Sequence, residues 1–185
     1  MNPTERSIVS AAVADACCAM LLAGDRSLEM PSDGDPSSDP PGKLPGKLIV
    51  SIGFGHGDQL RGRLMLIAQP DAYRRFYPPG MMASSLSSRI LADWASEMAN
   101  QMLGRIKSRL GAHGLDFSMG LPLVVAGSEL RLPTPGADAV GHSMRIGRHR
   151  FDAILEIEQP AGRNLFSEGQ PTIGLPDGAV VFFED

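Results

Sequence analysis

A chain of 185 residues with 43% hydrophobic content is long enough for one domain with a well-developed core and short for two. Seventeen Lys and Arg against 21 Asp and Glu leave a net charge of −4. No basic cluster interleaved with aromatic residues occurs, so nucleic acid is not expected as a partner.

The pattern from Thr4 to about Leu22 is helical, with Ile8, Ala11, Ala12, Ala16, Met20 and Leu21 forming a narrow apolar stripe. The run is too short and too polar to span a bilayer, and Asp15 and the early Glu5 do not suit an export signal. Cys17 and Cys18, the only cysteines, are adjacent on this helix and poorly placed to bridge each other. They read as reduced thiols, and the chain as cytoplasmic.

Residues 31 to 47, PSDGDPSSDPPGKLPGK, offer almost nothing to bury. They read as a linker or long surface loop inside a single domain spanning 1 to 185. Two β-rich segments, roughly 47 to 54 and 59 to 69, flank a Gly-His-Gly-Asp turn and predict a hairpin. A short helix over 70 to 77 is followed by the Pro78-Pro79-Gly80 break, and a long helix is expected from about Ser84 to Leu110, stopped by Gly111 and Gly114. Three strands follow in LDFSMGLPLVVAG, GHSMRIGRH and RFDAILEIEQ, and the terminal AVVFFED suggests an edge strand. Short connections favour antiparallel pairing. The order suggests two halves of helix plus strands, without a residue-level repeat.

The long helix carries the functional signal. Trp94, Ala95, Met98, Met102, Ile106 and Leu110 make its apolar stripe. At about 100° per residue, Glu97 and Asn100 fall roughly 60° apart on the opposite face, with Asp93 one turn before and Gly104 one turn after. A glycine inside a helix costs roughly 1 kcal/mol against alanine, so Gly104 needs a reason. A residue without a side chain lets a second body approach the helix closely.

The motif D-x-x-x-E-x-x-N-x-x-x-G followed by proline, carried by Asp93, Glu97, Asn100, Gly104 and Pro122, resembles the signature of the CheC, CheX and FliY family of chemotaxis phosphatases. The likeness is closest from Leu91 to Gly127, and the interval between Asn100 and Pro122 is one residue shorter than the family pattern. The first helix has only Asp15 and Cys18 at the corresponding spacing, so the chain is most like the single-site CheX type. The resemblance implies an α/β (α+β) fold, an antiparallel sheet with two long helices packed on it. It also implies a phosphatase acting on the aspartyl phosphate of a CheY-like response regulator. In that role Asn100 aligns the attacking water, Glu97 pairs with the regulator's active-site lysine, Asp93 orients its neighbours and Gly104 gives clearance. Pro122 is structural. No cofactor of its own is implied; Mg2+ belongs to the regulator. Single-site members form homodimers through sheet edges, which implies one here. The rival reading is a module of the same fold that binds a regulator or a flagellar or signalling partner without catalysis; a structural subunit without a regulator partner is a third.

Other signals are weaker. GFGHGD, residues 53 to 58, lacks the lysine and following helix of a phosphate-binding loop. His56, His113, His142 and His149 lack ligand spacing, so no metal site is expected. The methionines read as core filling.

Overall fold

The computed structural model describes residues 1–24, 47–77, 86–127, 130, 136, 138–146, 149–158 and 165–166. Of the expected loop at 31–47, residues 31–46 lie outside the described residues and Lys47 opens the first strand; the Pro78-Pro79-Gly80 break and the AVVFFED strand also lie outside them.

Helix α1 spans Pro3–Gly24. Its start is fixed by a reciprocal cap: Asn2 Oδ1 accepts from the Glu5 amide at 2.9 Å, and Glu5 Oε2 accepts from the Asn2 amide at 2.8 Å. The other Glu5 oxygen accepts from the Leu165 amide, so this buried carboxylate is satisfied. Pro3 occupies the first helical turn, where its missing N–H is no loss. The buried stripe is Val9, Ala12, Val13, Ala16, Cys17 and Met20. It is rotated from the expected one: Ile8 is half-buried and Ala11 exposed. Six alanines in this helix give the pattern little contrast between faces, so packing decides which side is inward.

Strands β1 (Lys47–His56) and β2 (Leu60–Ala68) form the expected hairpin, closing at His56 opposite Leu60. Gly57 turns the chain at φ +52, a conformation that favours glycine. Helix α2 (Pro70–Arg75) follows. Its Tyr73 hydroxyl donates to the Leu66 carbonyl at 3.1 Å, and its Tyr73 carbonyl accepts from Trp94 Nε1 at 3.2 Å. Those two bonds fix α2 between the sheet and the next helix.

Helix α3 runs Ser88–Gly111, with Ser87 as N-cap accepting from the Ile90 amide at 3.3 Å. It starts later than the expected Ser84, at the residue after this cap. Gly114, at φ +82, reverses the chain after it. Strands β3 (Ser118–Gly127), β4 (Ala139–Ile146) and β5 (His149–Glu158) complete the fold.

All strand pairs are antiparallel, in the order β3-β1-β2-β5-β4. Alternate residues Val50, Ile52, Leu64, Leu66, Ala153 and Leu155 join the inward stripes of α1 and α3 in one core. Phe54 and Phe117, with ring centroids 4.5 Å apart, close the core beneath the end of α3. This is the expected fold class, with both long helices on one face of the sheet. Strand β3 is an edge and is unusual in what it shows: Leu121, Leu123 and Val125 are 91%, 63% and 40% exposed.

Candidate functional site

Helix α3 buries Leu91, Ala95, Met98, Ala99, Met102, Leu103, Ile106 and Leu110, which fixes its rotation. The face opposite that stripe then carries Asp93, Glu97 and Gly104, with Asn100 on one flank. Asp93 and Glu97 are exposed; Asn100 and Gly104 are half-buried. Trp94 is half-buried too, beside α2, rather than fully in the core as its place in the stripe suggested.

Of the four residues read from the sequence, three stand on one outward ridge and Asn100 sits at its shoulder. Glu97 Oε1 accepts a hydrogen bond from Gln101 Nε2 at 2.8 Å. Gln101 went unnoticed in the sequence, although a Glu and a Gln four residues apart on a helix surface are neighbours. Asn100 makes no side-chain hydrogen bond among the described residues. Its carbonyl oxygen can accept and its amide hydrogens can donate, and no described residue engages either. Ser96, by contrast, is turned back to the Ala92 carbonyl at 2.9 Å and takes no part in the ridge.

A Cβ added at Gly104 meets nothing within 4 Å. Among the described residues no contact requires glycine there. Pro122 lies in edge strand β3 opposite Ile52, just before the register shifts, a position that tolerates a missing N–H.

On α1 the corresponding pair is differently placed. Asp15 is exposed and approaches Arg109 at 3.6 Å, while Cys18 is half-buried. Neighbouring Cys17 is buried, and burial pushes its thiol well above the usual range, so it is a core residue rather than a nucleophile. GFGHGD is the end of β1 and the start of the β1–β2 turn at Gly57 and Asp58. His142 is held against Ser10 of α1 at 3.2 Å. Among the described residues no three His, Cys, Asp or Glu side chains converge on a metal position, and no helix is long and apolar enough to cross a membrane.

Against known proteins, the family model described as chemotaxis phosphatase CheX matches residues 48–142, which include the whole of α3. No curated protein matches the chain in sequence. Among solved structures, the chemotaxis protein CheX of Vibrio vulnificus shares 19% identity at a TM-score of 0.62, covering 82% of this chain and 97% of its own. CheX of Borrelia burgdorferi, in a structure of its complex with CheY, BeF3 and Mg2+, shares 16% identity at a TM-score of 0.59, over 83% and 97% of the two chains. FliY of Thermotoga maritima shares 16% identity at a TM-score of 0.52, over 83% and 90%. These likenesses bear on the fold, and the family match includes the helix that carries the ridge. The chain belongs to the CheX family of chemotaxis phosphatases.

Proposed function

We propose that this chain accelerates loss of the aspartyl phosphate from a CheY-like response regulator in the cytoplasm, using Glu97 and Asn100. The observation that carries the reading is Asn100 itself: a carboxamide with no side-chain hydrogen bond among the described residues, beside an exposed carboxylate, on a ridge that continues past Gly104.

An acyl phosphate is already activated, so the catalyst has little bond chemistry to perform. Asn100 enters the regulator's pocket and holds a water in line with the phosphorus, its carbonyl accepting from the water. The water oxygen bonds to phosphorus as the bond from phosphorus to the aspartyl oxygen breaks. The aspartate leaves as a carboxylate, and the water's protons pass to phosphate and solvent. Positioning of this kind supplies much of the rate in phosphoryl transfer. Mg2+ belongs to the regulator, where it offsets charge on the phosphoryl oxygens.

Glu97 supplies attachment. Its carboxylate pairs with the regulator's active-site lysine, a charge-assisted contact that gains strength as water leaves the interface. Gln101 orients that carboxylate until the lysine arrives. Asp93, one turn earlier and exposed, adds negative charge to the same approach.

Strand β3 provides a dimer interface. An edge strand ordinarily carries charges or bulges that discourage pairing, and this one displays Leu121, Leu123 and Val125. Antiparallel pairing of β3 with β3 of a second copy gives that row apolar cross-strand neighbours and leaves α3 open. Light scattering at micromolar concentration reports a dimer; a monomer removes this assignment.

The experiment that tests the function is phosphate loss from purified phosphorylated CheY-like regulators with and without the chain. Acceleration with at least one regulator is expected. Binding without acceleration converts the protein into an adaptor.

A further inference from the structure

The ridge does not end at Gly104. Between α1 and α3 lies an open groove of about 370 Å³, walled by Gln101, Gly104 and Arg105 on one side and by Asp15, Ala16 and Ala19 on the other. Asn100 stands on one flank of Glu97 and the groove opens on the other, joined to Glu97 through Gln101. The absent side chain at Gly104 is what keeps its floor open toward the ridge.

The charge of the groove is opposite to that of the ridge. Arg105 is exposed and has no ion pair among the described residues. Arg109 reaches Asp15 only at 3.6 Å, with the two side chains 65% and 57% exposed, so that pair is loosely held and screened. Glu97 and Arg105, eight residues apart, are separated by about 12 Å along the helix axis. In a chain of net charge −4, one end of the ridge is acidic and the adjoining groove is basic.

We propose that this groove is a second docking point for the response regulator and receives an acidic side chain that pairs with Arg105. The inference rests on the function proposed above and extends it. One contact at Glu97 fixes depth but leaves the regulator able to swivel. A cation on the regulator at Glu97 and a carboxylate about 12 Å away at Arg105 fix its direction along α3 and exclude regulators lacking that pair of charges. Small residues at Ala16, Ala19 and Gly104 leave room for the entering side chain.

The test uses the full chain and each CheY-like receiver domain of the source organism, activated with BeF3− and Mg2+, with affinity read by titration calorimetry. Arg105→Glu is expected to weaken binding by about tenfold or more, with a shallower salt dependence. Ala19→Glu, which places a carboxylate in the groove from the other helix, is expected to weaken it comparably. Asp15→Asn, which frees Arg109, is expected to tighten it severalfold. Thermal melts identify any variant that fails to fold, and Asp15→Asn, on the surface, carries the test if Ala19→Glu does. Unchanged affinity in Arg105→Glu and Asp15→Asn overturns the groove while leaving the phosphatase reading intact. Weakening by Ala19→Glu alone overturns the acidic occupant in favour of simple obstruction. If no receiver domain binds the unaltered chain, the proposed function fails and the groove falls with it.

Discussion

Helices α1 and α3 are nearly equal in length, 22 and 24 residues, pack side by side on one face of the sheet, and each buries a stripe in the same core. At the same three-residue spacing α3 presents Glu97 and Asn100, whereas α1 presents Asp15 and Cys18. A thiol is a weak donor and a weak acceptor and is poorly suited to hold a water in line. Asp15 also faces Arg109 across the groove. The scaffold thus offers two comparable places, and only α3 carries the side chains that the proposed chemistry requires.

The sharpest way to break that comparison is to remove the carboxamide. Asn100→Ala is expected to lower regulator dephosphorylation on the order of 100-fold while binding stays nearly intact, because the water loses its alignment and the docking carboxylate remains. Glu97→Ala is expected to cost about 2 kcal/mol or more of binding, since it leaves the regulator's lysine unpaired in the interface. Cys18→Ala on α1 changes neither quantity. Single-turnover phosphate release and calorimetry separate the two effects; equal affinity losses with residual turnover in both α3 variants contradict the division of labour.

Gly104 sharpens the comparison further, because it separates the needs of the fold from those of docking. Gly104→Ala is expected to stabilise the free protein by up to about 1 kcal/mol, since the new Cβ touches nothing and the helix gains propensity. Its binding defect is small. Gly104→Leu folds normally and weakens regulator binding more, by projecting into the ridge and groove. Gly62 is the internal contrast. A Cβ there meets the Phe54 ring at 2.3 Å and the Glu156 carbonyl at 2.5 Å, so Gly62→Ala destabilises. Chemical denaturation compares the three variants, and full binding by a folded Gly104→Leu removes the docking role of the ridge.

Much of this was legible in the sequence. The element order, the hairpin around Gly57 and the inward residues of α3 follow from periodicity and turn residues, and the ridge follows from α3 alone because its stripe contains large side chains. In β5, Phe151, Ala153, Leu155 and Ile157 all face the core and Ile154 does not. The rotation of α1 was not legible, because alanines on several sides leave its inward direction to tertiary packing. Nor was the groove, since it joins Asp15 and Ala19 to Gly104 and Arg105, positions that only the packing of two helices brings together. Gln101 lay in plain view, yet one helical spacing does not reveal a hydrogen bond until rotamers are fixed.

The smallest expected effect concerns how α3 is tied down on its two sides. Toward α1 the tie is Arg109 to Asp15; toward β3 it is Lys107 Nζ to Asp116 Oδ1 at 3.1 Å. The Lys107 hydrogen bond, with its charge and the Phe117 amide at 2.8 Å, holds the Asp116 carboxyl below the usual carboxylate range. A carboxylate whose pKa is depressed by folding contributes stability above its unfolded pKa, near 3.9, and loses that contribution as pH falls through the folded value. The contribution is therefore complete at neutral pH and disappears only in acid. Asp116 is open to solvent, so the effect on global stability is slight and the useful readout is local. Lys107→Met is expected to move the Asp116 titration, followed by carboxyl carbon NMR, up toward the ordinary value, with the Phe117 amide bond retaining part of the shift. High salt moves the unaltered protein in the same direction. If Lys107→Met leaves the titration where it was, the β3-side tie is not electrostatic, and the core contact of Phe117 with Phe54 is what anchors that end of α3.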